Sequence, residues 1–67
     1  MKGKTIIIVQ GQLGKKWQDS FEAMEFNYEL SNTILTINIK DEAHLHGILT
    51  LLSDLNLKLI SVNPAED

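Results

Sequence analysis

The stretch Asp41–Pro64, DEAHLHGILTLLSDLNLKLISVNP, decides how this chain folds. With about 100° of rotation per residue, Leu45, Ile48, Leu49, Leu51, Leu52 and Leu55 share an arc of roughly 160°. Glu42, His46, Thr50, Ser53 and Asp54 lie opposite them. A helix with one apolar side is suited to covering a sheet. Asp41 is an N-cap whose carboxylate can accept from the free N–H groups of the first turn, and Asp41 and Glu42 both suit the positive end of the helix dipole. At the far end Asn56 can take the left-handed position that glycine more often fills, which sets Leu57 against Leu52 in a Schellman stop. Leu57–Val62 (LKLISV) then reads as a strand, with Leu57 and Leu59 facing one way and Lys58, Ile60 and Val62 the other. Pro64 ends it, because proline has no N–H to give to a ladder, and residues 64–67 read as a short solvated tail.

Working back toward the N-terminus, Thr5–Gln10 (TIIIVQ) is β-branched with apolar residues on both faces, as expected of a central strand. Gly11 and Gly14 punctuate the connection that follows. Lys15–Ser20 has room for about one or two helical turns, too few to be stable unless Leu13, Trp17 and Phe21, spaced by four, dock as one face. Glu22–Leu30 alternates, with Met24, Phe26, Tyr28 and Leu30 on one side and Glu25, Asn27 and Glu29 on the other, the pattern of an edge strand with one wet face. Ser31-Asn32 is the expected hairpin turn. Thr33–Lys40 (TILTINIK) returns with Leu35, Ile37 and Ile39 on one face and Ile34, Thr36, Asn38 and Lys40 on the other.

The order β, short α, β, β, α, β predicts one α+β domain spanning residues 1–67: a ferredoxin-like antiparallel sheet of order 4-1-3-2 with both helices on one face. The alternative is a βββαβ meander with one helix, which arises if the first connection is a loop. In the ferredoxin-like closure the far face of the sheet is left bare and apolar, carrying two positions from Ile6–Val9 together with Ile34, Thr36, Ile60 and Val62. Bare apolar faces of that kind mark association sites, so a homodimer through this face is expected.

Size and composition narrow the functional classes. A chain of 67 residues buries only about 60% of the surface its unfolded form exposes, so packing or self-association must support it. It has no cysteine, hence no disulfide and no thiolate site. A net charge of −3 argues against nucleic acid as a partner, and no apolar run reaches the roughly 18 residues of a membrane helix. MKGKTIIIVQ has too short an apolar run for a signal peptide and no small-residue cleavage site, so the cytoplasm is the expected compartment.

The segments VQGQLGKKWQDSFEAMEF and NTILTINIKDEAHLHGILTLLSDLNLKLISVNP resemble a group of small bacterial and archaeal proteins of about 70 residues. Their pattern runs from a Gly-His or Gly-Gln pair through Leu, Trp and Phe to Leu-His-Gly-Leu-Leu, Asp-Leu-Gly-Leu and Leu-Ser-Val-Asn-Pro. It falls here on Gly11, Gln12, Leu13, Trp17, Phe21, Leu45–Leu49, Asp54–Leu57 and Ser61–Pro64, covering nearly the whole chain. This sequence has Asn56 where the pattern has Gly, and Gln12 where it often has His. The resemblance implies membership of an uncharacterised family and no particular activity.

Candidate chemistry is sparse. His44 and His46 lie about 200° apart on a helix, so they cannot share a metal there, and no metal site or cofactor is expected. GQLGKK lacks the spacing and the Ser or Thr of a phosphate loop. Lys15, Lys16 and Trp17 could neutralise and stack on single-stranded nucleic acid, but strands one and three bring no aromatic platform, so Trp17 and Phe21 read instead as anchors for the short helix. No nucleophile–base set nominates a catalytic residue, and an enzyme is disfavoured. The expected function is a non-catalytic binding module that homodimerises and engages a protein partner or small molecule. The alternative is a small-molecule or anion sensor at the Gly11–Trp17 connection, with Gln12, Lys15, Trp17 and His46 as ligand residues. A small enzyme or enzyme subunit is the third reading.

Overall fold

The computed structural model describes residues 3–14 and 16–65. The β-branched runs at the two ends of the apolar pattern become the central strands, β1 (Gly3–Gln10) and β3 (Asn32–Ile39). Between them lie α1 (Trp17–Phe21) and β2 (Ala23–Glu29), and after them α2 (Glu42–Asp54) and β4 (Lys58–Pro64). The four strands form one antiparallel sheet in the order β2-β3-β1-β4, which read from the other edge is 4-1-3-2. β1 pairs with β3 and β4 and not with β2, so the meander is overturned. Its failure has a local cause: Leu13 and Phe21, 4% and 2% exposed, dock into the core and carry α1 onto the sheet.

One face of the sheet holds the core. Ile7 and Val9 of β1 and Leu35, Ile37 and Ile39 of β3 bury against Phe21 of α1 and Ile48 and Leu52 of α2. Each such side chain contributes about 1.5–3 kcal/mol when fully removed from water. Leu45, Leu49, Leu51 and Leu55 widen the same contact from α2.

The ends of α2 follow from its sequence. Asp41 is extended and its Oδ1 accepts the His44 N–H at 2.8 Å. Asn56 has φ 61°, its N–H donates to the Ser53 carbonyl (2.9 Å), and the Leu57 N–H donates to the Leu52 carbonyl (3.1 Å). These two bonds are the Schellman pair, which satisfies carbonyls the helix would otherwise leave open.

Three local expectations are corrected. The hairpin turn is Leu30-Ser31, not Ser31-Asn32: Glu29 pairs with Asn32, and Leu30 takes φ 57° at 90% exposure. Met24 and Leu30 do not share a face with Phe26 and Tyr28, because the register shifts between Ala23 and Glu25 and Leu30 stands in the turn. Val62 does not stand on the open face. Ile8 pairs with Ser61 and Val9 with Leu59, so Ile60 is an extra, bulged residue. A one-residue bulge reverses the alternation beyond it. Val62, opposite Ile7, therefore packs against the core, and Ser61 and Asn63 take the open face instead.

Pro64 is the last residue of β4, and the Ala65 N–H donates to the Lys4 carbonyl at 2.8 Å. The rest of the expected tail, Glu66 and Asp67, lies outside the described residues. Among those described, no helix is long and apolar enough to cross a membrane.

Candidate functional site

Thr33, fully buried at the start of β3, organises the first connection. Its hydroxyl donates to the Gly11 carbonyl (2.7 Å) and accepts the Leu13 N–H (2.9 Å). The Gly11 N–H donates to the Ser31 carbonyl at 2.8 Å, and the Tyr28 hydroxyl donates to the Leu13 carbonyl. Gly11 has φ 101°, a conformation that costs glycine little and other residues more. Its neighbours thus fixed, Gln12 is held outward in solvent. Trp17 is half-buried, its ring 6.3 Å from that of Phe21. Lys15 lies outside the described residues, and His46 is exposed on α2.

Among the described residues, cavities open on the helical side. One, of about 250 Å³, is lined by Lys16, Trp17 and Ser20. Another, about 240 Å³, lies between α1 and α2 against Phe21, Glu22, His44 and Gly47 among others. Gln12 and His46 line neither, so the expected ligand residues are not drawn together by these cavities; Trp17 alone of the described ones contributes.

His44 has a larger part than its sequence position suggests. Its Nδ1 accepts the Lys40 N–H at 3.0 Å, which in the neutral ring assigns the proton to Nε2. Gly47 is exposed, and a Cβ added there would meet nothing within 4 Å. A glycine in a helix interior costs about 0.5–1 kcal/mol relative to alanine, and packing does not explain this one. Glu22, on the same cleft, sits in the left-handed region at φ 52°. An interior glycine was the available sequence signal for this cleft.

Among the described residues, no helix lies on the opposite side of the sheet. The strand registers set its residues in rows: Glu25, Thr36, Ile6 and Asn63; then Asn27, Ile34, Ile8 and Ser61; then Glu29, Asn32, Gln10 and Lys58. Ile6, Ile8 and Ile34 are half-buried at its centre, and Thr36 is only 5% exposed. Of the residues expected on this face, Ile34 and Thr36 are there, Val62 is not, and Ile60 stands 51% exposed at the bulge. The charges are uneven, acidic along β2 (Glu25, Glu29) and basic at Lys58 of β4 and at Lys4 of β1, which pairs with Asn38 one row beyond Ile6.

Among the described residues, no three His, Cys, Asp or Glu side chains are grouped to hold a metal ion. In comparisons with known proteins, a family model described as a domain of unknown function (DUF8691) matches residues 5–63. No curated protein and no solved structure matches the chain.

Proposed function

Since the chain belongs to the DUF8691 family over residues 5–63, which brings no activity with it, we propose from the structure itself that this is a non-catalytic interaction module of ferredoxin-like topology that homodimerises through its open sheet face. The observation that carries this reading is the apolar centre of that face. Ile6, Ile8 and Ile34 stand together on a surface that no helix among the described residues covers, within a polar and charged rim. An apolar centre within a polar rim is the composition of association surfaces.

Sedimentation equilibrium at tens to hundreds of micromolar tests it, on wild type and Ile34→Lys. Ile34 is partly exposed on the open face, so a lysine can lay its stem along the sheet with its ammonium in water, leaving the fold intact. The expected result is a wild-type dimer and a folded Ile34→Lys monomer with unchanged circular dichroism. A wild type that stays monomeric through that range contradicts the reading.

A second reading, as a small-molecule sensor, draws support from the cleft between α1 and α2. Gly47 and Glu22 are both locally unfavourable there, and such features gather at functional sites. Trp17, the sole tryptophan, lies on α1 beside it. Ligand-dependent change in its emission, abolished by Gly47→Leu, supports this reading; a metabolite panel leaving the emission unchanged counts against it.

A further inference from the structure

Resting on the open face as a self-association surface, we propose that two copies pack face to face about a two-fold axis parallel to the strands, setting Glu29 of each copy against Lys58 of the other. Two sheets packed in the aligned manner keep their strands within about 30° of each other. A two-fold lying between them then runs either along the strands or across them, and the rows of the open face distinguish the two.

An axis along the strands keeps each row in place and exchanges the edges. β2 then lies over β4 and β3 over β1. Ile34 meets Ile8, Thr36 meets Ile6, and at the corners Glu29 meets Lys58 twice by symmetry. An axis across the strands keeps each strand over its own copy and reverses the rows. Glu25 then meets Glu29 twice, like charge on like charge. Set through the Ile8 row, this crossed axis also puts Ile6 against Gln10, so the apolar centre and the charged rim both favour the axis along the strands, as electrostatic complementarity fixes register in other interfaces. The central contacts carry most of the attraction, and the corners select the geometry.

Size sets how much the corners matter. Strands about 4.8 Å apart and rising about 3.4 Å per residue give a four-stranded face of about 500 Å² per copy. A pair of such faces buries on the order of 1,000 Å², the lower limit for a specific interface. The dimer is therefore weak, and two ion pairs at its rim shift its equilibrium measurably.

The test uses Glu29→Lys, Lys58→Glu and their equimolar mixture, in sedimentation equilibrium at low salt. Both positions are exposed, so the variants keep the fold, which circular dichroism verifies. Alone, each variant opposes two like-charged pairs and should associate roughly tenfold more weakly than wild type. Mixed, they restore two Lys–Glu contacts in the heterodimer, so the mixture should regain wild-type affinity. A wild-type dimer with variants and mixture unaffected overturns the axis and leaves the self-association reading standing. A Glu29→Lys dimer tighter than wild type overturns it in favour of the crossed axis, since it relieves the Glu25–Glu29 repulsion. A wild type monomeric throughout overturns both.

Discussion

The two faces of the sheet are built from nearly the same residues and behave differently. On the helix-covered face Ile7, Val9 and Leu35 are fully buried and Ile37 and Ile39 are 1% exposed. On the other face Ile6, Ile8 and Ile34, their immediate chain neighbours, remain partly exposed. Composition does not separate these sets, since both are isoleucine-rich. What separates them is that Phe21, Ile48 and Leu52 close over the first set, and among the described residues no helix closes over the second. Burial is concentrated on one face, and the other keeps its isoleucines partly exposed.

Leu35→Ala and Ile34→Ala, adjacent on β3, give the largest contrast between the faces. Truncating fully buried Leu35 should cost about 2–5 kcal/mol. In a domain whose whole stability is on the order of 5 kcal/mol that approaches unfolding. Ile34→Ala, measured by urea denaturation at a concentration where the protein is monomeric, should cost less, about 1–2 kcal/mol, because that site is only partly buried. Equal losses at the two positions would break the distinction.

Thr33→Val sharpens it at a polar site. The substitution removes the hydroxyl that serves both the Gly11 carbonyl and the Leu13 N–H. Leaving buried backbone groups unpaired should cost about 1–3 kcal/mol. Amide exchange should show the Leu13 N–H losing protection first.

Gly47→Ala is smaller and of opposite sign. With room for the added methyl, it should stabilise by about 0.5–1 kcal/mol. A loss of stability would mean that Gly47 is needed for packing and would weaken the sensor reading. Leu30→Gly should stabilise by a similar amount, on the order of 1 kcal/mol, by relieving a left-handed leucine. Its thermal midpoint should rise by a few degrees. Asn56→Gly, where asparagine already tolerates the left-handed cap, should change stability by no more than about 0.5 kcal/mol.

How much of this was legible follows from which residues signal locally. The α2 boundaries are written in single residues with strong preferences, Asp41 at the cap and Asn56 at the left-handed stop, and both occur where the pattern sets them. The sheet order follows from alternation and connection length. The bulges at Ile60 and Met24 have no such signal, since neither carries a glycine and each arises from the fit of a strand to its neighbour. The turn at Leu30 runs against propensity: Asn32 is the better turn former, but its pairing with both Glu29 and Gln10 keeps it in the ladder. Thr33, which fixes the Gly11–Leu13 loop from 22 positions away, carries no local signal, because its role depends on the fold bringing β3 beside that loop.

The most direct test of the two-faced account is a dilution series followed by amide and methyl NMR across the whole chain. Concentration-dependent shifts should gather at Ile6, Ile8, Ile34 and Thr36 and along the Glu29 and Lys58 corners, with Ile7, Leu35 and α2 unmoved. Shifts that gather on α2 or on the helix-covered face of the sheet, or spectra unchanged by dilution, would contradict the assignment of the open face to self-association.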